Sequence, residues 1–206
     1  MKSLFMIIFV FLGCSTTNPN FNDKKTIFQE KQISFEKSLN DLISAINKKQ
    51  YDRVNQFIYK KYGLYVLYNP GVGTHFWNFS FFKKVVDKFT FAFNEKIKCD
   101  LKYASIPPKC AGVIEEKGKA VKGCLADDTK NSHLKKVLSE AAIYSLTFGC
   151  TKTEEEARNS KEFQRIKKIE NGFEKSVRIE EDVTFTFSYL NGSWYLVMID
   201  LSDCSA

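Results

Sequence analysis

Apolar side chains at Ile33, Leu39, Leu42, Ile43 and Ile46 recur at three- and four-residue steps and predict an amphipathic helix. A shorter helix is expected over 51–62, with Val54, Phe57 and Ile58 inward. The unbroken run Leu64-Tyr65-Val66-Leu67-Tyr68 reads instead as a buried strand. It stops at Asn69-Pro70-Gly71, where Pro and Gly suit the middle of a type II turn. Residues 74–94 are aromatic and ambiguous, and 81–86 fits either helix or strand. Another strand is expected over 96–103, followed by a Lys/Gly-rich loop over 109–130 that holds two cysteines. Leu134, Val137, Leu138, Ala141 and Leu146 mark the buried side of a helix over 133–148. Thr153-x-x-Glu156 is a capping box opening a charged helix to about Glu170.

The C-terminal pattern is sharper. Val183–Tyr189 and Trp194–Leu201 flank Asn191-Gly192, the preferred pair for a type I′ hairpin turn. That turn places Tyr189 opposite Trp194, Phe187 opposite Leu196, Phe185 opposite Met198 and Asp200 opposite Val183. Helices first and a hairpin last predict an α+β domain, with N-terminal helices packed on an antiparallel sheet that ends in the C-terminal hairpin. This order of elements is similar to the cystatin-like cone of the nuclear-transport-factor-like superfamily.

The first fourteen residues carry a different signal. One Lys precedes nine apolar residues, Leu4–Leu12, and the small Gly13 follows, as in a secretory signal. Nine helical residues span only about 14 Å, too short for the roughly 30 Å of a bilayer's hydrocarbon core. Phe11-Leu12-Gly13-Cys14 resembles the lipobox of bacterial lipoprotein precursors. In that family the cysteine sulfur receives a diacylglyceryl group, the peptide is cut just before it, and the new amine is often acylated, palmitate being the expected chain. The resemblance implies a signal peptide over 1–13, a lipid on Cys14 and membrane attachment through it. Ser15 in place of Asp implies the outer membrane of a Gram-negative envelope, periplasmic or surface-facing. Residues 14–25, polar and without apolar period, read as the lipidated cysteine plus a flexible tether, leaving 26–206 as a single domain. The blocks Gly63-Leu64-Tyr65…Asn69-Pro70-Gly71 and Trp194-Tyr195-Leu196…Asp200…Cys204 also resemble stretches of uncharacterised bacterial lipoproteins, a group with no activity to carry over.

Composition agrees with a folded envelope protein. Of 206 residues, 44% are hydrophobic and 27% charged, outside the range of disordered or multi-span chains. The net charge is +7, but only Arg53, Arg158, Arg165 and Arg178 are arginines among 31 basic residues. Base and phosphate recognition favours the planar arginine fork, so no nucleic-acid partner is expected. The partner to look for is an envelope protein or a glycan.

With Cys14 lipidated, Cys99, Cys110, Cys124, Cys150 and Cys204 remain for pairing in an oxidising compartment. Cys110–Cys124 is expected, because both sit in the long loop; a second bridge would join Cys150 to Cys99 or Cys204. No Cys-x-x-Cys spacing exists and there are two histidines, so neither metal nor other cofactor is expected.

No catalytic signature stands out. Residues 51–93 hold fourteen of the thirty aromatics, and Tyr65, Tyr68, His75 and Trp77 around the Pro-Gly turn are the candidate ligand-binding residues. Asp200 is expected where its strand reaches water, and Asp127-Asp128 in an acidic turn. The expected function is binding without catalysis. The alternatives are an enzyme that uses His75 or Asp200 as acid or base in an apolar cone pocket, and a structural spacer of the envelope.

Overall fold

The stretch around Leu39 forms a 27-residue helix, α1 (Phe21–Asn47), so helical structure begins inside the segment read as a tether. The computed structural model describes residues 21–71, 73–106, 115–116, 119–120, 124–129, 133–179 and 183–202. Phe35, Leu39, Leu42 and Ile46 face the core, whereas Ile33 is 68% exposed. The heptad-like spacing thus runs back to Phe35, not to Ile33. Helix α2 (Tyr51–Asn55) is one short turn followed by irregular backbone, not a helix to residue 62, although Val54 and Ile58 are buried as expected.

Strand β1 (Leu64–Tyr68) pairs antiparallel with β2 (His75–Phe79), Tyr68 opposite His75. Asn69 Oδ1 closes the intervening turn, accepting from the backbone N–H groups of Gly71 (2.8 Å) and Gly73 (3.1 Å). Gly73 has φ +120°, and a Cβ there would lie 2.2 Å from the Tyr144 ring, so only glycine fits. The ambiguous 81–86 stretch resolves as helix α3 (Phe82–Lys88), and a 3₁₀ turn (Thr90–Phe93) follows.

The strand expected over 96–103 shrinks to β3 (Leu101–Tyr103). The segment read as a loop contains two short strands, β4 (Glu115–Glu116) and β5 (Lys119–Ala120), and one inner strand, β6 (Cys124–Asp128). Asp127 and Asp128 therefore lie in a strand, not in a turn; Asp128 pairs with Lys175 (2.6 Å). The 133–148 helix divides into a 3₁₀ turn (His133–Lys135) and α4 (Val137–Thr147). The capping box is present, Thr153 Oγ1 accepting from Glu156 N–H. Its helix is broken into α5 (Glu154–Asn159) and α6 (Lys161–Glu170), because Ser160 turns extended (ψ 147°) and caps the second helix through Phe163 N–H.

Strand β7 (Lys175–Ile179) has no counterpart in the sequence reading; it lies between β6 and the hairpin of β8 (Val183–Leu190) and β9 (Ser193–Asp200). The hairpin turn is as expected, Asn191 and Gly192 both having positive φ. Tyr189 faces Trp194 and Phe187 faces Leu196. Beyond them a register shift intervenes, so Phe185 faces Ile199 and Asp200 faces Thr184, not Met198 and Val183. Val197 is the extra residue of a β-bulge, which reverses the faces of everything after it.

The result is an α+β fold around a seven-stranded sheet of order β2-β1-β9-β8-β7-β6-β3. It is mixed: β1–β9 and β3–β6 run parallel, the other pairs antiparallel. One face carries Leu64, Val66, Phe185, Phe187, Trp194 and Ile199 beneath α1, α2 and α3; edge-to-face contacts of Phe35 with Phe187 (5.3 Å) and Trp194 (4.9 Å) bind the layers. The other carries Tyr65, Leu67, Val197 and Met198 beneath α4 and α6. Among the described residues no helix is long and apolar enough to cross a membrane.

Cys124 is bridged to Cys99, which corrects the expected Cys110–Cys124 pairing and rules out Cys99–Cys150. Parallel pairing of β3 with β6 sets Leu101 beside Cys124 and brings the two cysteine Cα atoms to 5.0 Å. Cys14, Cys110 and Cys204 lie outside the described residues, as does the side chain of Cys150.

Candidate functional site

Three of the four aromatics expected to form a site do meet. Tyr68 projects from the end of β1 on the first face, with its ring 6.4 Å from Trp77 on β2 and 5.7 Å from Phe91 in the 3₁₀ turn. Trp77 stands behind them, 5.6 Å from Phe89, with Lys88 Nζ 5.0 Å over its ring. His75 closes the row at the sheet edge, 6.1 Å from Trp77 and T-shaped against Tyr144 (5.2 Å) and Phe148 (5.0 Å). Phe91 and Phe148, at opposite ends of the row, are 57% and 50% exposed. Phe91, the exposed ring at the Tyr68 end, also borders a groove.

Tyr65 does not join them. Alternation along β1 sends it to the opposite face, fully buried beneath α6. Its hydroxyl lies 3.4 Å from Glu162 Oε1. Burial, reinforced by the negative charge of Glu162, raises the phenol well above its ordinary value.

The groove beside Tyr68 has a volume of about 760 Å³. Tyr68, Phe91, Ile97, Ile179, Val183 and Leu201 form its apolar walls, and Asn94, Glu95 and Lys96 its polar lip. It opens where β1, β7 and β9 end and β8 begins, at one end of the first face. Strand ends leave their last side chains without a neighbour above them, and the 3₁₀ turn roofs the gap only partly. Phe91, Asn94–Ile97, Ile179, Val183 and Leu201 were not among the expected site residues. Only Phe91 and Asn94–Ile97 are neighbours in the chain; Ile179, Val183 and Leu201 come from distant strand ends.

Neither His75 nor Asp200 lines this groove. His75 Nδ1 is 3.3 Å from Ser145 Oγ. Asp200 is 2% exposed rather than where its strand reaches water, because the bulge at Val197 turns it to the second face. Its Oδ1 accepts from the N–H (2.9 Å) and hydroxyl of Ser202. An acid or base must reach a ligand within hydrogen-bond distance, and the groove offers neither residue to one. Among the described residues no cluster of three or more His, Cys, Asp or Glu is arranged to hold a metal ion.

The groove offers rings for stacking, aliphatic side chains, and a lip with one acid, one base and an amide. No family model, no curated protein and no solved structure matches this chain.

Proposed function

We propose that this chain is a lipid-anchored protein of the bacterial cell envelope whose folded domain binds an amphiphilic partner in the groove beside Tyr68, without catalysis. The partner class is a glycan or an envelope-protein segment that offers an apolar face to Tyr68 and Phe91 and polar groups to Glu95 and Lys96. The observation that carries this reading is the groove itself. Its volume of about 760 Å³ lies within the roughly 300–1,000 Å³ of ligand sites, and Tyr68, Phe91, Ile179, Val183 and Leu201 share its lining with the polar Asn94, Glu95 and Lys96.

The anchor is supported separately, by the charged-apolar-small order of residues 1–13 and by Cys14. The Cys99–Cys124 bridge favours an oxidising compartment. Attachment to the outer membrane of a Gram-negative cell belongs to the same proposal.

Two measurements test the halves independently. Intact mass of the membrane-fraction protein should show loss of residues 1–13 and added acyl mass, both abolished in Cys14→Ala; retained Met1 would overturn the anchor. A photo-crosslinker in place of Phe91 should capture one saturable product from envelope extract, lost when Tyr68 is also changed to Ala. Absence of any saturable product would overturn the binding role.

A further inference from the structure

The second face of the sheet holds an anomaly unrelated to the groove. Arg178 on β7 is 6% exposed, yet its Nε and Nη2 have no hydrogen-bond partner. Asp200 offsets the Arg178 charge from two strands away, but two buried N–H groups without acceptors remain a costly arrangement. Where buried polar groups stand unpaired, a missing ligand is one of the few physical explanations.

The geometry around it is specific. Cross-strand register aligns Leu125, Arg178, Thr184, Asp200 and Leu67 in one row over five strands. Thr184 is the immediate neighbour of Arg178, fully buried, and its hydroxyl also lacks a partner. Neighbours in such a row lie about 5 Å apart at Cβ, so the Arg178 side chain and the Thr184 hydroxyl, with three unused donors between them, leave the sheet side by side on the same face. Nε and Nη2 are the two parallel donors on one edge of the guanidinium plane, the pair that grips both oxygens of a carboxylate.

We infer that Arg178 and Thr184 form a binding site for a small monocarboxylate on the second face of the sheet. The Arg178 edge takes both carboxylate oxygens and the Thr184 hydroxyl donates to one of them. Asp200, two strands from Arg178 and already held by Ser202, restricts the charge that can enter: a monoanion is tolerated and a phosphate dianion is repelled. Leu125, the neighbour of Arg178 on β6, supplies apolar contact for a short carbon chain. This site is independent of the proposed groove partner and lies across the sheet from it.

The test is thermal unfolding of the full chain at pH 8 and fixed ionic strength, with acetate titrated against chloride. The wild type should show a saturable rise in Tm with acetate and a weaker one with phosphate. Thr184→Val, which keeps shape and strand preference, should weaken acetate binding about tenfold, the worth of a hydrogen bond to a charged group. Arg178→Met should abolish the response. Four results would overturn the assignment: no acetate effect beyond chloride, an unchanged response in Thr184→Val, a response persisting in Arg178→Met, or phosphate binding more tightly than acetate.

Discussion

The two faces of the sheet are covered by opposite means. On the first face, Phe35, Phe185, Phe187 and Trp194 lock against one another, and polar atoms are met at the margins, as where Trp194 Nε1 donates to Ser34 Oγ (3.1 Å). On the second, apolar contacts under α4 and α6 surround a polar centre of Ser176, Arg178, Thr184, Thr186 and Ser188, all from β7 and β8. Part of that centre is satisfied: Thr129, Ser176 and Thr186 form a hydroxyl chain with spacings of 2.9 and 3.1 Å. Arg178, Thr184 and Ser188 keep unpaired atoms. A core built for stability alone would have filled those positions with valine. The first face supplies the cohesion of the domain, and the second carries groups whose cost needs another explanation.

The contrast can be broken at its strongest point first. Phe35→Ala removes the ring that joins α1 to the hairpin and should destabilise the domain by about 3–5 kcal/mol in denaturant unfolding. A loss below 1 kcal/mol would mean that the first face is not the main source of cohesion. Replacing both Cys99 and Cys124 by Ser, at the far edge of the same face, should cost about 2–4 kcal/mol by the same measurement.

On the second face the paired and unpaired hydroxyls should respond differently to the same substitution. Thr186→Val interrupts the hydroxyl chain and should cost about 1 kcal/mol. Thr184→Val removes an unpaired hydroxyl and should leave ligand-free stability unchanged or slightly higher. Equal losses at the two sites would erase the distinction.

The smallest effect concerns alkaline pH. Burial raises the Tyr65 phenol above its unfolded value near pH 10, so the folded state keeps a proton that the unfolded state releases. Its contribution is complete below about pH 10 and is lost as pH rises further. Tyr65→Phe should flatten the fall in stability above that pH; an identical pH profile would show that the phenol is not held protonated by the fold.

How far the fold could be read from the chain depends on distance along it. The hairpin turn and the pairs nearest it were legible because Asn191-Gly192 adopts positive φ readily and two-residue periodicity fixes faces on either side. Four residues further on the same reasoning failed, since nothing in Leu196-Val197-Met198 signals which residue bulges. The aromatic cluster was legible in Tyr68, His75 and Trp77, which one hairpin brings together. Tyr65 was misplaced by nearness in sequence alone: it stands three residues from Tyr68, an odd step that alternation along β1 sends to the opposite face. The groove walls Ile179, Val183 and Leu201 come from three strand ends far apart in sequence, and no local pattern could unite them.

By itself the sequence determined what neighbouring residues impose on one another: the Thr153–Glu156 capping box, the break at proline after β1, the I′ turn and the α+β class. These follow from φ preferences, terminal N–H groups and apolar period, all of which act within a few residues. Only the tertiary structure decided that Cys99 meets Cys124, that Asp200 turns inward and that Arg178 lies buried beside Thr184. Each of these depends on which strand lies beside which, a choice made by long-range packing.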